Sequence, residues 1–154
     1  MGKSFNFLIS ILLVLAAALI QSTDLINFYG VKPNLVLVMV AVFLFFTDNF
    51  WEYLVISLGG IAALKFVSAF EKESLVLFIL LAAAYIFKKY LLHKSFIHIL
   101  LLITFLTTLF YLLINFNFII LNPLIFILEL VYNNFIGLAI YLSANFIYEK
   151  TKPQ

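Results

Sequence analysis

Cysteine is absent from this chain of 154 residues, which excludes disulfides and thiolate metal sites. Arginine is absent too: all nine basic residues are lysines, and with the abundant Phe, Ile and Asn this reads as coding bias rather than chemistry. Charge is scarce, at 10% of residues against about 25% in soluble domains. The net charge of +2 is too small to argue for a nucleic-acid partner. No nucleophile elbow, phosphate loop, zinc helix or pair of catalytic carboxylates can be found, so the sequence makes no case for an enzyme or a cofactor. There are no internal repeats, no low-complexity linkers and no polar segment long enough to hold a separate soluble core.

What is present is hydrocarbon. Hydrophobic residues make up 66% of the chain, where soluble domains average about 45–50%. A water-soluble domain of this size could not hide that surface. The expected fold class is therefore all-α, a polytopic transmembrane helix bundle forming one integral membrane domain over residues 1–154. A helix needs about 20 apolar residues to cross the bilayer core. Six candidate spans meet or approach this: Phe5 to Gln21, Asn34 to Phe46, Phe50 to Phe70, Ser74 to Leu92, Ser95 to Ile114, and Phe118 to Tyr148. The second is short for a crossing. The third carries Gly59-Gly60 and Lys65, and the last has Pro123 near its start, where a loop or kinked turn is expected. Five spans is the alternative count. The N-terminal run exceeds the about 7–15 apolar residues of a signal peptide, so it reads as a membrane helix.

Excess lysine in short loops marks the cytoplasmic side. With six spans and an inner N-terminus, Lys3, Lys88, Lys89, Lys94, Lys150 and Lys152 lie inside, and Lys32, Lys65 and Lys72 lie outside. Both termini are predicted to be cytoplasmic. Glu71-Lys72-Glu73 is then an outer apex. Asp48, Trp51, Glu52 and Tyr53 form an acidic aromatic inner turn, with Trp51 and Tyr53 as headgroup-level anchors.

Polar side chains at membrane depth are costly and usually face a bundle interior or cavity. Gln21 closes the first span, and Pro33-Asn34 opens the second. Pro at a helix start loses no hydrogen bond, and Asn34 can satisfy free amide donors. On spacing alone this is a plain helix-loop-helix junction. The last span holds Asn122-Pro123, Glu129 and Asn133. Glu129 and Asn133 are four apart and share one helix face, with Asn122 and Phe126 on the turns before and Gly137 on the turn after. A mid-span carboxyl is open to several roles: a hydrogen-bonded structural group, a partner-helix contact, a ligand-facing group or a proton relay. His93 and His98 are five apart with no carboxylate near in sequence, which is no metal-ligand spacing.

These patterns carry a resemblance. An apolar run ending in Gln21, a short loop to Gly30-Val-Lys-Pro33-Asn34-Leu35, and Asn122-Pro123…Glu129…Asn133 ahead of a short basic tail resemble the bacterial MreD family. That family is the small membrane subunit of the rod-shape (elongation) machinery. Its usual glycine-spaced third span leading to an Asp is reduced here to Gly59-Gly60, as in a divergent member. The resemblance implies a non-catalytic scaffold in the bacterial inner membrane. Such a scaffold would bind an MreC-like membrane protein and, through it, an MreB-like filament and the peptidoglycan synthases. It also implies a fold similar to the substrate-binding subunits of energy-coupling-factor vitamin transporters, which supply the alternative function. Those subunits usually space small residues by four in the first span, a pattern that Gln21 interrupts.

Overall fold

The computed structural model describes the backbone of residues 2–23, 25–27, 30–64, 72–88 and 96–150, and side chains within 7–147 of these. Asp24, Lys65, Glu71, Lys89, His93, Lys94 and Lys152 lie outside the described residues, as do the side chains of Lys3 and Lys150. The described residues are all-α and form seven helices: α1 (Gly2–Ser22), α2 (Leu35–Phe43), α3 (Phe50–Leu64), α4 (Lys72–Phe87), α5 (Phe96–Ile114), α6 (Phe116–Leu121) and α7 (Pro123–Lys150).

Helix α2 is the axle of the bundle. It packs against α1, α3, α4, α5 and α7, while α1–α3, α3–α4, α4–α5 and α5–α7 pack in turn around it. Every residue from Leu35 to Phe45 is buried, as expected for a helix that is apolar all round. Two glycines let its neighbours come close. A Cβ added at Gly60 of α3 would stand 2.5 Å from Val14 Cγ1 and 3.0 Å from Val36 Cγ1. One added at Gly137 of α7 would collide with Ile103 and stand 3.3 Å from Val38 Cγ1. Hydrocarbon provides no hydrophobic drive for helix association, so such small-residue contacts matter more in a bilayer than in water.

The outer surface is also apolar. Helices α5 and α7 are long and apolar enough to cross a membrane, and α1 and α3 are shorter apolar helices. Leu101 and Phe105 on α5, and Val131, Phe135 and Leu142 on α7, point away from the bundle. Six separate crossings are not shown. The last expected span divides at Asn122-Pro123 into α6 and α7, because Asn115 caps a separate short helix and Pro123 begins a new one. Helix α6 buries none of its residues.

Local signals explain the other boundaries. Gly30 has φ +84°, a conformation suited to glycine, and its N–H donates to Asn27 Oδ1 at 3.0 Å. Asn49 accepts from the Trp51 amide at 2.9 Å and starts α3. Trp51 is 69% exposed, in keeping with an interface anchor, but Tyr53 is 1% exposed and is not one. Position 53 faces α4, where its hydroxyl donates to the Leu81 carbonyl at 3.1 Å and its ring packs 5.2 Å from Tyr85.

Candidate functional site

A helix as short as α2 has most of its end groups unpaired, and burying them would be costly. Its N-terminal donors are met by side chains from three segments. Asn34 is the N-cap: its Oδ1 accepts from Leu37 N at 3.1 Å, and its carbonyl accepts from Val38 N at 3.0 Å. Gln21, at the end of α1, accepts from Val36 N at 2.9 Å through Oε1 and donates from Nε2 to Asn34 Oδ1 at 3.4 Å. Asn133 reaches over from α7, and its Oδ1 accepts from the Asn34 backbone N–H at 3.0 Å. Its Nδ2 donates to Thr107 Oγ1 of α5 at 3.3 Å. One connected set of amides therefore joins α1, α2, α5 and α7, and Asn133 at its centre is 0% exposed.

One turn before Asn133 on α7, Glu129 accepts a 2.5 Å hydrogen bond from the Tyr111 hydroxyl of α5. Glu129 is only 4% exposed, so its carboxyl faces inward against α5. The Tyr111 ring stacks on Phe118 of α6 at 5.0 Å and meets Phe126 edge-on at 5.7 Å, which ties α6 to this corner. One residue beyond Asn133, Asn134 donates from Nδ2 to Thr104 Oγ1 and to the Leu130 carbonyl, each at 2.8 Å.

The structure thus brings together Gln21, Asn34 and Asn133, with Glu129 one turn away. Pro33 is buried directly before the cap, while Asn122 and Pro123 stand exposed at the α6–α7 junction. Thr104, Thr107 and Tyr111 complete the arrangement without having been singled out. Their signal was a polar spacing of three and four along α5, which places them on one face.

The opposite end of α2 is closed from α4. Lys88 donates to the Thr47 carbonyl at 2.6 Å and lies 3.3 Å from Asp48 Oδ1, while the Tyr85 hydroxyl donates to the Asp48 carbonyl at 2.6 Å. A cation at a helix C-terminus also complements its dipole. Beside this end is a cavity of about 350 Å³, lined by residues of α1, α2, α3 and α7 and by the α2–α3 turn. Among the described residues, no cluster of His, Asp and Glu could hold a metal ion. What the polar arrangement accomplishes physically is to fix where a half-length helix starts and which neighbours it holds. The chain matches no protein-family model, no curated protein and no solved structure.

Proposed function

We propose that this chain is a non-catalytic scaffold of the bacterial cell-elongation machinery, a divergent protein of the MreD type. In this reading it crosses the cytoplasmic membrane six times with both termini inside. It binds an MreC-like membrane protein and, through it, supports an MreB-like filament and lateral peptidoglycan synthesis. The observation that carries the reading is the bond between its two characteristic segments. The resemblance rests on Gln21…Pro33-Asn34 and Glu129…Asn133 together, and Asn34 and Asn133 are hydrogen-bonded across 99 positions of sequence. In this role the buried amides are positioning residues: they set the helix arrangement, and the exposed apolar faces of α5 and α7 are left to meet lipid and partner.

The arrangement of ends supports the proposed topology. Phe7, the turn at Thr47–Glu52 and Ile147 border one cavity, as an inner N-terminus, an inner turn and an inner C-terminus would. The same placement favours the scaffold over the vitamin-capture alternative. A capture subunit needs its pocket toward the outer face, and this cavity lies at the end predicted to face the cytoplasm.

Depleting the protein from a rod-shaped host tests the function. Rounded cells that no longer elongate are the expected result. Unchanged shape with loss of uptake of a vitamin would replace the scaffold with the transporter reading.

A further inference from the structure

We propose that α6 lies in the plane of the outer leaflet, a short surface helix whose exposed side is covered by lipid at the headgroup–acyl boundary. The inference rests on the membrane reading and deepens it, without needing any particular protein partner. Three observations carry it. First, the connection between α5 and α7 lacks charge. The other connections all carry ionisable residues: Asp24 and Lys32 before α2, Asp48 before α3, Lys65 and Glu71 before α4, and Lys88, Lys89 and Lys94 before α5. From Ser95 to Leu128 there is no lysine, aspartate or glutamate, and the polar residues of the connection are Asn115, Asn117 and Asn122. Charge is tolerated in a turn that stands in water and penalised in one that lies against acyl chains.

Second, the exposed side of α6 is mostly apolar. Phe116, Ile120 and Leu121 are 56%, 60% and 75% exposed. Helical spacing puts them on one side with Asn117, while the half-buried Phe118 and Ile119 lie on the other. The stack of Phe118 on Tyr111 fixes that inner side against α5. Exposed apolar side chains continue along the chain in both directions, to Leu113 of α5 and to Leu124 and Ile127 of α7. These two helices are long and apolar enough to cross a membrane, so the lipid around them meets α6 next.

Third, the backbone closes on itself, as contact with lipid demands. Asn115 N donates to the Tyr111 carbonyl at 2.9 Å, and Phe118 N donates to Asn115 Oδ1 at 3.2 Å. Asn122 N donates to the Phe118 carbonyl at 2.9 Å, and Phe126 N donates to the Asn122 carbonyl at 3.1 Å. Pro123 has no N–H to strand. Length sets the depth. The 19 residues of α5, at about 1.5 Å each, reach about 28 Å, just short of the about 30 Å hydrocarbon core. Starting from the lysine-marked inner side, α5 therefore ends at the outer acyl boundary, and α6 begins there.

The absence of cysteine allows single-cysteine variants without any other change. Spin labels are attached at Ile120→Cys and Leu121→Cys on α6, at Phe105→Cys midway along α5, and at Asp48→Cys in the α2–α3 turn. All four positions are exposed, so the labels should leave helix content unchanged. The full chain is placed in lipid nanodiscs, and each label is tested for access to oxygen, which concentrates in lipid, and to a water-soluble nickel chelate. Both α6 labels should favour oxygen over nickel, at a depth of about 5–10 Å into the headgroup–acyl boundary. Phe105→Cys should lie deeper, and Asp48→Cys should favour nickel. Nickel access at α6 equal to that at Asp48→Cys would put the connection in water and overturn the proposal. Low access to both reagents would make the cover a polypeptide, such as a second copy of the chain, and overturn it equally. Nickel access at Phe105→Cys is a distinct result: it would overturn the membrane reading itself, and the proposal with it.

Discussion

Replacing Asn133 by Leu tests whether the amide network holds the bundle together. Leu has the same number and branching of side-chain heavy atoms as Asn, and it removes both the acceptor and the donor. The buried Asn34 N–H loses its acceptor at 3.0 Å, and Thr107 loses its donor at 3.3 Å. Stranding a buried donor costs about 1–3 kcal/mol, and a side-chain hydrogen bond between membrane helices adds about 0.6 kcal/mol. The expected loss is roughly 1.5–3.5 kcal/mol. It can be read by titrating the protein in mild detergent with a denaturing detergent and following helix content by circular dichroism. Asn122→Ala is the matched control: the side chain is exposed at the α6–α7 junction, so it should stay within about 0.5 kcal/mol. A double-mutant cycle with Thr107→Val should give a coupling near 0.6 kcal/mol and no more than about 1.7 kcal/mol. If Asn133→Leu unfolds at the same denaturant fraction as Asn122→Ala, the network is incidental to the fold.

The other variants use the same titration. Gly60→Ala should destabilise by about 1–3 kcal/mol, since its Cβ meets the stiff, fully buried Val14 and Val36. Gly59→Ala should be neutral or stabilising by up to about 1 kcal/mol, having nothing within 4 Å; equal losses at the two positions would refute the packing of α3 on α1 and α2. Lys88→Met should cost about 1–2 kcal/mol by uncapping the Thr47 carbonyl, whereas Asp48→Asn, with its side chain 88% exposed, should change little; the reverse order would make the ion pair the stronger contact. Glu129→Gln leaves an acceptor for the Tyr111 hydroxyl and should stay within about 1 kcal/mol, while Glu129→Leu strands that hydroxyl and should cost roughly 1–3 kcal/mol. Identical stabilities for these two variants would remove the hydrogen bond from the account.

Several of these features were legible in the sequence because they are exceptions within it. Gln21, Asn34, Glu129 and Asn133 are polar groups in long apolar runs, and a cap after Pro33 follows from local chemistry. Their meeting was not legible, since nothing local to Asn34 names a partner 99 residues away. The central place of α2 was hidden for a related reason. In a chain where lipid-facing and buried surfaces are both apolar, Leu35–Phe45 has no polar face to orient it. Its lack of any polar residue was nonetheless the available signal for full burial. Tyr53 was misplaced at the interface because its neighbours Trp51 and Glu52 suggested a belt, whereas its helical position turns it toward α4. The break at Asn122-Pro123 was visible as a breaker, but the separate helix before it depended on Asn115 as a cap, and Asn115 fell in the short gap between the fifth and sixth expected spans, where no helix start was expected.

The central claim, that this bundle is a scaffold for a membrane partner, is tested most directly by co-purification from native membranes. The full chain, tagged at its predicted cytoplasmic C-terminus and extracted in mild detergent, should retain an MreC-like protein in constant proportion. Recovery of the chain with transporter ATPase subunits in its place, or with no stoichiometric partner at all, would contradict it.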